Sequence, residues 1–179
     1  MTSKKKILAI SGSTRRGSSN GLILKWLGNA YRDKLDFELF DDLALLPYFN
    51  PDLDVEPTPA EVKQFRDRIA SADGILICTP EYIFALPGAL KNAIEWTVST
   101  TLLMDKPLAF IVASGLGEKT FESLTIIMKT VGARMPVEST LLIQGARAKI
   151  NADGTIKDES AKHALDELMQ SFMVTLEIE

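Results

Sequence analysis

Apolar residues fall into two rhythms along this chain. In the first rhythm they follow one another without polar alternation. Ile7–Ile10, Ile75–Cys78 and Leu108–Ala113 are such runs, and they read as strands buried on both faces, as in a parallel sheet. The spans predicted from them are 4–11, 74–79 and 108–113. Val137–Ile143 is predicted as a fifth strand, and Asp36–Asp41 alternates charged and apolar residues as a half-buried second one. In the other rhythm apolar residues return at helical spacing. Leu24, Leu27 and Tyr31, with Ile23, Trp26 and Ala30 alongside, predict a helix over 20–34. Val62, Phe65 and Ile69 predict one over 60–72, with Thr58 and Glu61 as its capping box. Further helices are predicted over 87–97, opening on Pro87, over 121–131, and over 158–176 with Leu165, Leu168, Phe172, Met173 and Leu176 on its inner stripe. Residues 43–59 carry four prolines and no period. They read as a loop too apolar to be a free linker, packed on the core edge or against a partner chain.

Five strands alternating with five helices, without repeats, imply an α/β fold: a three-layer, doubly wound, five-stranded parallel sheet. The expected strand order is 2-1-3-4-5, with ligands bound outside the carboxyl ends of the strands where the order reverses. The loops at those ends are 11–20, 79–88 and 114–119.

The first of these loops, Ser11 to Asn20, has the chemistry of a phosphate site. Gly12 and Gly17 allow unusual backbone angles and close approach. Ser13, Thr14, Ser18 and Ser19 supply hydroxyls, and Arg15 and Arg16 supply forked cationic donors. Ser18, Ser19 or Asn20 can cap the next helix, whose first N–H groups then face the loop. A nucleoside-triphosphate loop is excluded because Ser18 stands where its lysine belongs, and Gly12-Ser13-Thr14 breaks the dinucleotide fingerprint. A mononucleotide phosphate remains.

Composition narrows the partners. At 179 residues, 46% hydrophobic and 25% charged, the chain suits one soluble domain. The net charge of −4 gives no support for nucleic-acid binding. No apolar stretch reaches membrane-spanning length, and no secretory signal opens the sequence, so the cytoplasm is expected. A single cysteine, Cys78, and a single histidine, His163, argue against a disulfide or a metal cluster built from these residues. A phosphatase-type loop on Cys78 would need arginine where Phe84 stands.

The second loop, Thr79–Gly88, is stiffened by Pro80 and Pro87 and sets Tyr82, Ile83 and Phe84 at the site edge, where a planar heteroaromatic ring could lie. Two motifs now stand together: Gly12-Ser13-x-Arg15-x-x-Ser18-x-Asn20, and Pro80-Glu81-Tyr82 followed by Pro87-Gly88-x-Leu90-Lys91-Asn92-Ala93-Ile94-Glu95-Trp96. On these the chain resembles the NADPH-dependent FMN reductases, flavodoxin-like proteins that include quinone, chromate and azo-dye reductases. The resemblance implies one FMN-binding domain over 1–179, with the phosphate at Ser13, Arg15, Ser18, Ser19 and Asn20. It implies the ring edge at Pro80, Glu81, Tyr82 and Ile83, and a further ring contact near Ser114 and Gly115. It also implies NADPH or NADH as transient donor, a quinone or similar small acceptor served in alternation, and a homodimer or homotetramer. No side chain is required as acid or base; backbone N–H groups of Gly115 or Gly117 are candidate donors to the flavin. Lys91, Asn92 and Glu95 are expected to fix the helix start and subunit contacts. Many relatives carry Asn where this chain has Ile83, and the 114–119 loop lacks their Gly-Gly and following Arg. The alternatives are an electron carrier without turnover and a relative that has lost its flavin.

Overall fold

In the computed structural model, which describes residues 4–177, five parallel strands form one sheet in the order β2-β1-β3-β4-β5. The strands are β1 (Lys5–Ser11), β2 (Leu35–Phe40), β3 (Gly74–Thr79), β4 (Leu108–Ser114) and β5 (Thr140–Gln144). The helices are α1 (Ser19–Ala30), α2 (Ala60–Ser71), α3 (Gly88–Glu95), α4 (Glu118–Thr130), the single turn α5 (Ala146–Lys149) and α6 (Glu159–Thr175). The order reverses between β1 and β3, as expected for a flavodoxin-like, doubly wound sheet.

Successive residues of the central strands face opposite layers. Ile7, Ala9, Leu76 and Cys78 pack under α1 and α6, with Ile23, Leu27, Leu168 and Phe172. Leu8, Ile10, Ile75, Ile77 and Phe110 pack under α2, α3 and α4, with Phe65, Ile69, Leu90 and Leu124. Burial on both faces is why these strands lack polar alternation.

Several local expectations are corrected. Thr58 does not cap α2: Pro59 occupies the N-cap without a side-chain bond, and the Thr58 hydroxyl donates to Glu56 Oε1 at 3.4 Å instead. Pro87 is the N-cap of α3 and not its first helical residue. Helix α4 begins three residues early, so Glu118 and Lys119 belong to its first turn. Val137–Ser139 form a 3-10 turn that shortens β5, and α5 was not foreseen. Met169 joins the inner stripe of α6 fully buried, and Met173 packs against the same core partly buried.

The segment 43–59 packs on the core edge. Leu43 and Leu46 are buried, and Phe49 meets the edge of Trp96 at 5.1 Å. Asn92 accepts from the Phe49 N–H at 2.7 Å and donates to the Pro47 carbonyl at 2.9 Å, which also accepts from Trp96 Nε1 at 2.8 Å. The second motif therefore clamps a loop through Asn92 and Trp96, while Lys91 and Glu95 pair with each other.

Gly12 joins the two loops at the centre of the sheet. Its N–H donates to the Cys78 carbonyl at 2.8 Å. A Cβ there would stand 2.3 Å from Thr79 Oγ1 and 2.6 Å from Thr79 Cβ, so rotating the threonine cannot make room. We expect Gly12→Ala to lower the unfolding free energy in urea by about 2 kcal/mol, the middle of the range for overpacking a closed site.

Candidate functional site

The carboxyl ends of β1, β3, β4 and β5 surround a cavity of about 430 Å³, within the usual size range of small-molecule sites. Ser13, Arg15, Ser18, Ser19, Asn20, Pro80, Glu81, Tyr82, Ser114 and Gly115 all line it. Of the residues that the resemblance assigns to the phosphate and ring, Ile83 alone is not part of the lining; it is exposed, next to the lining residue Tyr82.

At the β1 end the loop is shaped to leave donors open. Gly17 turns the chain at φ 65°, and the Ser18 N–H donates back to the Arg15 carbonyl at 3.2 Å. Ser18 is the cap of α1, accepting from the Gly21 N–H at 3.1 Å. The N–H groups of Ser19 and Asn20 precede the first helical hydrogen bond and stay available to a ligand. Asn20 is buried, and its carboxamide oxygen accepts from the Cys78 thiol at 3.3 Å. Among the described residues its amide nitrogen has no partner, although Asn20 lines the cavity. Cys78 is fully buried, and burial pushes its thiol pKa far up, so it orients Asn20 and is no nucleophile. Among the described residues Arg66, Arg68 and Arg134 are the arginines in ion pairs; Arg15 at the cavity is not neutralised. Serine hydroxyls, helix N–H groups, a carboxamide donor and a free guanidinium form the donor set that a phosphate dianion requires.

The β3 loop is braced from three sides. The Glu81 N–H donates to Ser114 Oγ at 3.2 Å. The Glu81 carboxylate accepts from the Gly117 N–H at 3.1 Å and the Thr120 N–H at 2.9 Å. It therefore caps α4, whose own N-cap, Gly117 at φ 96°, has no side chain to do so. This removes Gly117 from the candidate donors to a flavin and leaves Gly115. It also gives Ser114 and Glu81 structural work that their position at the cavity did not reveal. The Tyr82 hydroxyl lies 3.5 Å from Ser13 Oγ and links the two loops.

Sequence reasoning missed the β5 end. Gly145, Ala146, Arg147 and Ala148 complete the lining, and the Gly145 N–H donates to the Gly115 carbonyl at 3.1 Å. The signal was available: the carboxyl end of β5 lies on the same edge of a 2-1-3-4-5 sheet, and Gly145 follows an apolar run. His163 is exposed on α6, beside Glu167. Among the described residues no helix is long and apolar enough to cross a membrane.

A doubly wound sheet with a phosphate-type loop and a stiff Pro-bounded loop at its switch point defines the class of flavodoxin-like nucleotide-binding proteins. The sequence pattern of the NADPH-dependent FMN reductases matches residues 5–147, and the chain belongs to that family of flavin-dependent oxidoreductases. It is 32% identical over 177 residues to the NADH:(hydroxy)cinnamate reductase subunit CrdA of Vibrio ruber, covering 96% of this chain and 87% of that one. It is 36% identical over 110 residues to a quinone reductase of Escherichia coli K12, a match spanning 61% of this chain and 57% of that protein. Among solved structures it superposes on FerB, a flavoenzyme NAD(P)H:(acceptor) oxidoreductase from Paracoccus denitrificans, with a TM-score of 0.80 at 28% identity over 97% of both chains.

Because Glu81 supplies the cap that Gly117 cannot, Glu81→Ala is expected to lower stability by about 0.5–2 kcal/mol, the range for a lost helix cap. Urea unfolding of the protein without added flavin measures it.

Proposed function

We propose that the chain acts as one FMN-binding unit that passes electrons from NADPH or NADH to quinones or similar small acceptors. The observation that carries this reading is the cavity itself. Its β1 end gathers open phosphate donors, including the buried, half-partnered Asn20 amide, and its other walls are Pro80, Tyr82, Ala113 and Gly115. Ser13, Arg15, Ser18, Ser19 and Asn20 hold the phosphate. Pro80, Glu81, Tyr82, Ser114 and Gly115 line the ring. Bound there, the flavin supplies the hydride chemistry.

The protein's share is placement. The cap on α1 keeps the Ser19 and Asn20 N–H groups aimed at the anion. Glu81 and Ser114 fix the β3 and β4 loops relative to each other, so the ring slot exists before the cofactor arrives. The Gly115 N–H is the backbone donor left to stabilise negative charge that develops on reduction. No carboxyl or phenol need move a proton to the acceptor: one hydride leaves NAD(P)H, one proton comes from solvent, and a quinone departs as hydroquinone beside NAD(P)+. One open face serves donor and acceptor in turn, in a homodimer or homotetramer.

Two measurements test this. Initial rates with NADPH and a quinone, both varied, are expected to give parallel double-reciprocal lines; intersecting lines would mean that both substrates bind together. Arg15→Ala is expected to weaken FMN binding by about 1.5–3 kcal/mol, the scale of a charged hydrogen bond, read by titration of the visible flavin bands. Equal affinity in both proteins would remove Arg15 from the phosphate site.

A further inference from the structure

The four residues Tyr82-Ile83-Phe84-Ala85 form a closed two-residue turn. The Tyr82 N–H donates to the Ala85 carbonyl at 2.9 Å and the Ala85 N–H returns to Tyr82 at 3.1 Å. Ile83 has φ 51° and Phe84 φ 57°. That is the mirror-image hairpin turn, whose two central residues are normally Asn, Asp or Gly. A β-branched residue in the left-handed region is strained, and Phe is little better. Burial does not compensate: Ile83 is 96% exposed and Phe84 69%. The turn therefore keeps two residues that harm its own backbone and add nothing to the core, directly beside a cavity-lining tyrosine. Backbone strain retained at a site points from the outlier to a function.

The surroundings say what these side chains meet. The turn follows Glu81, whose carboxylate holds the Gly117 N–H at 3.1 Å, and its first residue, Tyr82, lines the cavity. Ile83 and Phe84 come directly after the lining residue Tyr82 and are exposed, whereas Arg15 and Arg147 line the cavity itself. The turn is rigid, tied by its two internal bonds, by Glu81 on α4 and by Tyr82 near Ser13.

We propose that the 82–85 turn is a preorganised apolar shelf for the electron acceptor, and that Ile83 is a specificity-determining residue favouring quinones with a hydrophobic substituent over small polar ones. This rests on the reading of the cavity as an FMN site for quinone reduction. Ile83 touches the substituent of the acceptor and not the reacting carbonyls. It selects among acceptors that the flavin would otherwise reduce alike, and the strain it imposes on the backbone is independent of any ligand.

The test compares wild type with Ile83→Asn, using decyl-substituted and unsubstituted 1,4-benzoquinone as acceptors with NADH. Asn suits the left-handed turn, so the variant is expected to melt higher, by about 2–4 °C for relief of roughly 1 kcal/mol. The ratio of kcat/KM for decylquinone to that for benzoquinone is expected to fall about tenfold, the low end for loss of an apolar contact. Binding of decylquinone to the oxidised holoprotein, with both proteins saturated with FMN and followed by flavin fluorescence, should weaken in parallel. An unchanged ratio with the raised melting point would overturn the proposal, because the turn would then be strained without selecting acceptors. A shift in oligomeric state with no change in the ratio would also overturn it and give the shelf to a second copy of the chain. Absence of flavin binding in the wild type would instead sink the cofactor reading beneath it, an outcome visible before any quinone is added.

Discussion

The site depends on β1 and β3 lying side by side with nothing between Gly12 and Thr79. Those two strands pair in register, Ser11 against Cys78, and Gly12 extends the pairing by one bond to the Cys78 carbonyl. A parallel sheet that reverses its order there must send the loop after β1 and the loop after β3 apart, and the gap becomes a ligand crevice. The absence of a side chain at Gly12 keeps the mouth of that gap narrow. It sets Ser13 beside Tyr82 and Asn20 over Cys78, so that the donors of the first loop and the Pro80–Tyr82 wall share one cavity.

From that junction the bracing spreads outward. Glu81 reaches across to the start of α4 and replaces the cap that glycine at 117 cannot provide. Ser114 holds the Glu81 backbone. In the same layer as α4, Asn92 and Trp96 fasten the long proline-bearing segment through the Pro47 carbonyl. Much of the second motif is thus scaffolding. Its polar residues are satisfied within the protein, and the cavity receives mainly Pro80 and the Tyr82 face. Preorganisation of this kind suits a flavoenzyme, in which the cofactor carries the chemistry and the protein positions it.

The sheet, its order and most of the cavity lining were legible in the sequence because each rests on a local pattern. Uninterrupted apolar runs mark strands covered on both sides, and serines and arginines between a strand and a helix mark a phosphate loop. What escaped depends on contacts between distant segments. Nothing near Gly12 shows that its hydrogen stands against Thr79. Nothing near Thr58 shows that Pro59 will take the cap of α2. The role of Glu81 requires knowing that α4 starts on a glycine in the left-handed region, and Arg147 enters only because β5 ends on the same edge as the other loops. Ile83 is the reverse case: the residue type was visible, but its positive φ, and hence its strain, belongs to the folded turn.

The central claim is that a phosphate dianion anchors the flavin at the start of α1. Comparing the dissociation constants of FMN and riboflavin for the same protein tests it most directly, since the two ligands share the ring and the ribityl chain. Two or more charged hydrogen bonds to the phosphate, at about 1.5–3 kcal/mol each, predict FMN binding at least about a hundredfold tighter. Equal affinities would place the phosphate outside the 13–20 loop and contradict the account.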